Sequence, residues 1–211
     1  MYAYAVSTQL TRERVLRAAI RVADREGVDA LSMRRLGREL RVEAMSLYNH
    51  VRGKDDLLDG IVDLLVKEIG SQPSAGDWRE RIRARCIAAR ERMRRHPWAA
   101  RLLTSRTRMS ETLWEFWDSL IGIFQEAGFS DELTHHAVHL LGARLFGLTQ
   151  EVFDESGMQS KDAAALVRGI QLGRYPALAR VGPGLRHDDD VEFAFGLELI
   201  LDGLERARAG A

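Results

Sequence analysis

The sequence predicts an all-α fold on three observations. Apolar residues recur every three or four positions along most of the chain, and the alternating pattern typical of strands is nearly absent. Residues that favour helix caps stand before several of these periodic stretches. Only four prolines occur, so few positions exclude a helix interior.

The first two predicted helices have clear end signals. Thr11 is the expected N-cap of the first helix, because its hydroxyl can accept a hydrogen bond from a free backbone N–H. Gly27 is placed to end that helix, since glycine tolerates the left-handed backbone common at helix ends. Ser32 is the expected cap of a short second helix that carries Leu36 and Leu40.

A breaker-rich stretch at residues 70–76 is predicted to be a linker. It divides the chain into a domain at residues 1–70 and a domain at residues 71–211. Apolar stripes in the second domain predict one helix from about Trp78, then helices at about 97–103, 110–127, 130–155 and 189–208. Residues 157–188 predict one helix followed by a loop that contains Tyr175-Pro176 and residues 182–184.

Composition limits the class of protein. Of the 211 residues, 45% are hydrophobic, which is enough to bury a real core. No apolar run reaches membrane-spanning length, and the first ten residues lack a secretory signal pattern, so a cytoplasmic protein is expected. Cys86 is the single cysteine, which excludes an intrachain disulfide and a zinc site built on paired cysteines.

Charge is segregated along the chain although the net charge is zero. Residues 1–54 hold eleven Lys and Arg against six Asp and Glu, and the remaining residues hold twenty against twenty-five. Screening confines each patch to a Debye length of about 8 Å at physiological salt, so a basic patch can attract phosphates on a neutral protein.

Residues 32–54 predict two short helices joined by a tight turn, the outline of a helix-turn-helix. The second covers about residues 44–50, and the next helix begins at Lys54 or Asp55. Gly37 lies where the two helices cross. Glycine in a helix costs about 1 kcal/mol relative to alanine, so close packing is its expected reason. The apolar side that sets the angle between the helices comprises Leu36, Leu40, Val42, Leu47 and Val51.

The opposite side of the helix at 44–50 carries short or hydrogen-bonding side chains, which suit base edges and phosphates in a major groove. They are Ala44, Met45, Ser46, Tyr48, Asn49 and His50. Together with the basic N-terminal part, this side predicts a DNA-binding surface.

The residues Leu47-Tyr48, His50-Val51 and Lys54, followed by Asp56-Leu57-Leu58, resemble the signature of the TetR family of transcriptional regulators, and the match extends over residues 11–65. The resemblance implies a base contact for Arg34 and base-edge contacts for Ala44, Met45 and Ser46. It implies phosphate contacts for Tyr48, His50 and Lys54. Ala44 and Met45 offer no hydrogen bond, so contacts with thymine methyl groups are expected there. Asn49 stands where the family carries an aromatic or another polar group.

The last predicted helix is apolar around roughly 220° of its circumference, more than the roughly 100° that a single core needs. It therefore requires a second copy of the chain, and the resemblance implies a four-helix interface with the helix at 130–155. The predicted interface residues are Leu133, Leu140, Leu141, Phe193, Gly196, Leu197, Ile200, Gly203 and Leu204. A twofold dimer presents recognition helices about 34 Å apart, which predicts a near-palindromic operator.

The other face of residues 130–155 mixes polar and aromatic side chains, which favours a pocket for a small, largely apolar effector. Helices equivalent to its neighbours form the remaining walls in the family. The predicted ligand-binding residues are Cys86, Met93, Leu102, Leu103, Trp114, Trp117, His135, His139 and Phe146. The alternative is that these stripes are only the core of the domain.

The chain contains no phosphate loop, nucleophile elbow or catalytic triad, so no catalytic residue is predicted. His135 and His139 have the spacing of a metal pair, but no Glu lies between them, and neither a metal nor a cofactor is predicted. The expected function is a repressor that releases its operator when the effector binds. Two alternatives stay open. The first alternative is that the C-terminal domain docks a protein partner instead of a small molecule, and the second is that the chain activates transcription.

Overall fold

The computed structural model describes residues 9–70, 75–105, 109–146, 160–181 and 188–210. Within these ranges the regular structure is helical, as predicted. The helices are α1 (Arg12–Glu26), α2 (Met33–Leu40), α3 (Ala44–Leu47), α4 (Lys54–Gly70), α5 (Trp78–Arg95), α6 (Ala99–Ser105), α7 (Glu111–Glu126), α8 (Asp131–Phe146), α9 (Ser160–Gln171), α10 (Pro176–Val181) and α11 (Asp189–Ala209), with a 3-10 turn at Val28–Ala30.

Hydroxyl caps set the starts of four helices. The side chains of Thr11, Ser32, Ser110 and Ser130 each accept a hydrogen bond of 3.2 Å from the backbone N–H three residues later. Each bond satisfies one of the N–H groups that a helix start leaves unpaired. These four predicted helix starts are therefore confirmed.

Two predictions of local structure differ from the structure. The recognition helix is shorter than residues 44–50, because α3 ends at Leu47 and hydrogen-bonded turns follow it to Val51. The loop predicted at Tyr175-Pro176 is wrong, since Pro176 is the first residue of α10. Proline fits this position because the first residue of a helix does not use its N–H in an intrahelical bond. Residues 182–184 and 147–159, where further loop and helix were predicted, lie outside the described ranges.

The chain forms two compact units, Met1–Gly147 and Leu148–Ala211. In the first unit, α4 packs against α1 on one side and against α5, α6 and α7 on the other. Leu57, Ile61, Leu65 and Ile69 on α4 are fully buried by these contacts. The predicted boundary at residue 70 is therefore not a gap in the packing, because α4 belongs to the cores on both sides of it.

The second unit contains α9, α10 and α11. On α11, Phe193, Leu197, Leu201 and Leu204 are buried at the spacing of one helix face. None of the helices in the described part of the chain is long and apolar enough to cross a membrane.

Candidate functional site

The turn between α2 and α3 is held by backbone contacts. Arg41 ends α2 in the left-handed conformation, with φ 57° and ψ 44°, and the N–H of Val42 donates to the carbonyl of Gly37 at 2.9 Å. A Cβ on Gly37 would lie 2.8 Å from the carbonyl oxygen of Val42 and 3.3 Å from the nitrogen of Ala44. The prediction that Gly37 permits close packing at this crossing is confirmed.

The apolar side of the element is buried as expected. Leu36, Leu40, Leu47 and Val51 are buried, and Val42 is half-buried. Since packed side chains have little freedom to move, these contacts fix the angle between α2 and α3. The opposite side of α3 is consequently presented to solvent in a defined orientation.

Most residues of the predicted DNA-binding set reach solvent. Met45 is 76% exposed and Tyr48 is 47% exposed, while Arg34, Asn49 and Lys54 are also exposed. Ala44, Ser46 and His50 are half-buried. The hydroxyl of Ser46 donates to the carbonyl of Glu43 at 2.7 Å, so it faces any ligand as an acceptor.

Arginines of α2 and the turn line an open concavity of about 670 Å³ between α2 and α3. Arg34, Arg38 and Arg41 line it together with Gly37, Val42, Glu43 and Ala44. Arg34 makes no ion pair among the described residues. Arg38 and Arg41 were not in the predicted set, because several arginines occur in this stretch and the pattern alone does not show which are held by carboxylates.

Arg35, next to Arg34, is held by carboxylates. Its guanidinium donates to both oxygens of Glu26, at 2.9 and 2.5 Å, and to Glu39 at 3.1 Å. Arg25 also donates to Glu39 at 2.6 Å. The hydrogen bond from Arg35 is the main cause that lowers the pKa of Glu26, and the hydrogen bond from Arg25 is the main cause that lowers the pKa of Glu39. This network joins the end of α1 to α2, so Arg35 has a structural role.

A second arginine fixes the position of the recognition element. Arg12 at the start of α1 donates to both carboxylate oxygens of Asp56 on α4, at 2.9 and 2.8 Å, and to the carbonyl of His50 at 2.8 Å. The N–H of Arg52 also donates to Asp56, at 2.8 Å. The hydrogen bond from Arg12 is the main cause that lowers the pKa of Asp56 to about 2. Sequence reasoning missed this contact, since its partners are forty-four residues apart.

A cavity of about 860 Å³ lies between α7 and α8. Its lining residues are Trp114, Trp117, Ile121, Gln125, Asp131, Thr134, His135, Val138, His139 and Gly142. Four members of the predicted ligand-binding set are therefore together on this cavity: Trp114, Trp117, His135 and His139.

Four other members of the predicted set do not line this cavity. Cys86 on α5 and Leu102 on α6 are buried, and Met93 and Leu103 are half-buried. Burial raises the pKa of the Cys86 thiol to about 12. These apolar stripes serve the packing of α5 and α6. Phe146 is the last residue of α8, and its side chain lies outside the described part of the structure.

The cavity combines aromatic walls with a few polar groups. The indole of Trp114 is 60% exposed. The rings of His135 and His139 are 4.5 Å apart between centroids. A Cβ on Gly142 would lie 3.3 Å from the indole of Trp117, so this glycine lets the ring approach α8. The hydroxyl of Thr134 is buried and has no hydrogen-bond partner in the described part of the chain.

The predicted dimer residues fall into two groups. Leu141, Phe193, Leu197 and Leu204 are buried within the chain, so they are not free to form direct contacts with a partner. Leu133, Gly196, Ile200 and Gly203 are half-buried, and Leu140 is 48% exposed.

An additional exposed stripe was not in the predicted set. Val191, Phe195 and Leu199 on α11 are all more than half exposed and recur every four residues, which places them on one face. The helical pattern shows that α11 is apolar on two sides, but it does not show which side the chain buries by itself.

Models of known protein families match both parts of the chain. The model described as bacterial regulatory proteins of the tetR family matches residues 15–61, and the model described as the tetracyclin repressor-like C-terminal domain matches residues 70–208. The two matches flank the end of α4, close to the predicted domain boundary.

Individual proteins are similar over nearly the whole chain. The HTH-type transcriptional repressor DrrR1 of Streptomyces coeruleorubidus is 31% identical over 209 residues, which cover 93% of this chain and 77% of DrrR1. Apo ActR from Streptomyces coelicolor aligns with a TM-score of 0.75 at 30% identity, over 95% of this chain and 97% of ActR. ActR in complex with actinorhodin aligns with a TM-score of 0.73 at 29% identity, over 95% and 99% of the two chains.

Proposed function

The chain belongs to the TetR family of bacterial transcriptional regulators, and on this premise we propose that it is a repressor that leaves a near-palindromic operator when a small molecule binds between α7 and α8. It is a DNA-binding regulator and not an enzyme. The observation that carries the proposal is the rigid α2–α3 element, whose exposed face joins Met45 and Tyr48 to a concavity lined by arginines.

The exposed groups of this element divide into those that read bases and those that hold the backbone of DNA. Arg34 contacts a base edge, and Ala44, Met45 and Ser46 contact the bases next to it. Tyr48, His50 and Lys54 contact phosphates, and Asn49 lies at the edge of the same surface. Arg38 and Arg41 add positive charge beside Arg34, which supports phosphate contacts on this side of α2.

The effector is a flat, conjugated and largely apolar compound that carries a few oxygen atoms. Two indoles and two imidazoles on the cavity favour stacking with an aromatic ring system. Asp131 and Gln125, which also line the cavity, favour polar groups at the edge of that ring system. ActR, which is similar over nearly the whole chain, has been solved with actinorhodin bound.

The lining of the cavity favours a small molecule over a protein partner, because two indoles, two imidazoles and a few polar groups border about 860 Å³ of space between two helices. The proposed effector site is therefore α7 and α8, and the proposed location of the protein is the cytoplasm, where operator DNA is found.

A second copy of the chain completes the repressor. We assign the contact to Val191, Phe195 and Leu199 on α11 and to Leu140 on α8, because these apolar side chains are exposed in the single chain. Ile200, Gly196 and Gly203 lie at the edge of the α11 stripe. The twofold axis sets the spacing of the two recognition elements at about 34 Å, one turn of the double helix.

The proposal is tested by selecting bound sequences from a random pool of duplex DNA. We expect an inverted repeat with half-sites one helical turn apart. Candidate compounds, beginning with actinorhodin, are then screened for release of the selected duplex. A purified, folded chain that selects no sequence, or that selects an operator which no aromatic compound releases, contradicts the proposal.

A further inference from the structure

We infer that the hydroxyl of Ser110 transmits effector binding from the cavity to the DNA-binding element, through its hydrogen bond to Asp63. The inference rests on the proposed effector site between α7 and α8. It adds the contact by which occupation of that site changes the position of α4.

Ser110 makes two hydrogen bonds with one hydroxyl group. As the N-cap of α7 it accepts from the N–H of Leu113 at 3.2 Å, and it donates to the carboxylate of Asp63 on α4 at 2.5 Å. The start of α7 and the middle of α4 are therefore joined by a single side chain. A hydroxyl that caps a helix does not need a second helix as partner, so the bond to Asp63 is an additional feature of this serine.

The cavity begins one turn further along the same helix. The N–H of Trp114 donates to the carbonyl of Ser110 at 3.0 Å, and the Trp114 side chain lines the cavity. A ligand that displaces the exposed indole of Trp114 acts on the first turn of α7. Because hydrogen bonds hold that turn together, Ser110 moves with it.

The route ends at the ion pair between Arg12 and Asp56. Asp63 and Asp56 lie seven residues apart on α4, which is two helical turns or about 10 Å along one face. Asp56 holds Arg12, and Arg12 holds the carbonyl of His50 at the end of the recognition element. A displacement of Asp63 is thus passed along a continuous helix to residues that face DNA.

A second contact between the same parts of the chain has no such connection to the cavity. Asp24 on α1 lies 2.8 Å from Nδ1 of His96 and accepts from the indole N–H of Trp98 at 2.9 Å. Neither His96 nor Trp98 lines the cavity among the described residues. This contact holds α1 against the segment before α6, whereas the Ser110–Asp63 bond joins α4 to the helix that carries Trp114.

The test compares Ser110→Ala and Asp63→Ala with Ser130→Ala as a matched control. Ser130 caps α8 with the same geometry, a 3.2 Å bond from the N–H of Leu133, but makes no bond to α4 in the described structure. Asp63→Asn serves as the conservative variant, since an amide oxygen still accepts from the Ser110 hydroxyl. Each variant is measured for operator affinity, for affinity toward the releasing compound, and for the ratio of operator affinities with and without that compound.

We expect Ser110→Ala and Asp63→Ala to change operator affinity and compound affinity by no more than about threefold. The ratio of operator affinities without and with the compound, which in coupled systems is about 5-fold to 150-fold, should fall most of the way to one in both variants. Ser130→Ala and Asp63→Asn should keep the ratio. The double variant should lose no more than either single variant, because both changes remove the same bond. Retention of the full ratio in both alanine variants would overturn the inference.

A measurement without any effector decides the same question. The N–H groups of His50 and Val51 donate to the carbonyl of Leu47 at 2.9 and 3.0 Å. If α4 transmits displacement, their hydrogen exchange should be at least about threefold faster in Ser110→Ala than in Ser130→Ala. Equal exchange in the two variants contradicts the transmission route. A wild-type chain that no compound releases contradicts the proposed function instead, and the exchange experiment still decides the route.

Discussion

Arg12 and Asp56 form a two-point ion pair that holds three segments of the DNA-binding element together. The guanidinium reaches both carboxylate oxygens, at 2.9 and 2.8 Å, and its hydrogen bond to the carbonyl of His50 adds the end of the recognition turn. The pair therefore links the start of α1, the start of α4 and the residues that follow α3. Its effect is to fix the recognition element relative to α4.

The pKa of Asp56 makes this contact visible in the pH dependence of stability. Its value of about 2 in the folded chain lies below the roughly 3.9 of an unfolded aspartate, so the stabilisation is complete above about pH 4 and is lost as the pH falls toward 2. The side chains of Arg12 and Asp56 are 44% and 31% exposed, which reduces the expected contribution to about 1 kcal/mol. The free energy of unfolding of Asp56→Asn should differ from wild type by this amount at pH 6 and by clearly less at pH 2.5. A difference that does not change over this range excludes the pair as its source. Asp29→Asn, at an exposed position, is the control.

Alanine at Gly37 should impair operator binding more than it impairs folding. The added Cβ would lie 2.8 Å from the carbonyl oxygen of Val42, so the backbone before α3 must shift. We expect operator affinity to fall at least about tenfold, because a change of about 1 Å in a recognition element disrupts its contacts. Gly122→Ala on α7 is the matched control, since nothing lies within 4 Å of its Cβ, and alanine there should be neutral or stabilise by up to about 1 kcal/mol. Equal operator affinity in both variants would contradict the close-packing argument.

Arg34 and Lys54 should differ in what they contribute to DNA binding. Arg34→Ala should cost roughly 1–3 kcal/mol at one base position and relax specificity there, because an arginine that reads a base edge discriminates among sequences. Lys54→Ala should weaken all sequences alike and reduce the slope of affinity against salt by about one ion. Salt titrations on cognate and substituted duplexes separate the two effects. The same behaviour in both variants would show that the assigned roles are wrong.

Variants at Trp117 and Cys86 distinguish a residue of the cavity from a residue of the core. Trp117→Ala should weaken the releasing compound at least about tenfold, because stacking on an aromatic ring contributes on the order of 1 kcal/mol beyond the apolar area that it buries. Cys86→Ala should leave that affinity unchanged and lower the free energy of unfolding slightly, since the thiol is buried on α5 and does not line the cavity. Calorimetric titration of the compound and urea denaturation give the two quantities. A loss of compound affinity in Cys86→Ala would show that α5 is part of the ligand site.

Neighbouring phenylalanines on α11 should respond in different ways. Phe195 is 63% exposed, whereas Phe193 is 8% exposed. Phe195→Lys should produce folded monomers at micromolar concentration, because a charge replaces an apolar side chain at the proposed contact. Phe193→Ala should instead destabilise the chain by about 3 kcal/mol through loss of a buried ring. Sedimentation and thermal denaturation distinguish the two outcomes. A Phe195→Lys variant that stays dimeric would show that α11 does not form the interface.

Prediction from the sequence succeeded where the determining interactions are local. Ser32 and Ser110 cap helices through a backbone group three residues away, and Gly37 contacts a turn five residues away. Such contacts correspond to short patterns that can be recognised in the sequence. The recognition element, the helix starts and the alignment of Trp114 with Trp117 could therefore be predicted before any coordinates were known.

The sequence could not decide which of several similar residues meet across long separations. Cys86 and Trp117 both lie on apolar stripes, and periodicity assigns both to the same interior. Only the packing of α7 against α8 leaves an open space beside Trp117, while α5 is closed around Cys86. In the same way, Arg34 and Arg35 are adjacent arginines, and only the fold brings Glu26 and Glu39 to Arg35.

By itself the sequence determined that the chain is helical, where most of its helices begin, and which short element meets DNA, because helix caps, periodicity and turn glycines act within a few residues. The tertiary structure alone decided which arginines of α2 are held by carboxylates, which helices border the open cavity, and how α4 packs against the helices on both sides of it. The connection through α4 rests on contacts such as Arg12 to Asp56 and Ser110 to Asp63, which join residues forty-four and forty-seven positions apart. The packing of whole helices determines which residues become partners, and no local sequence pattern shows it.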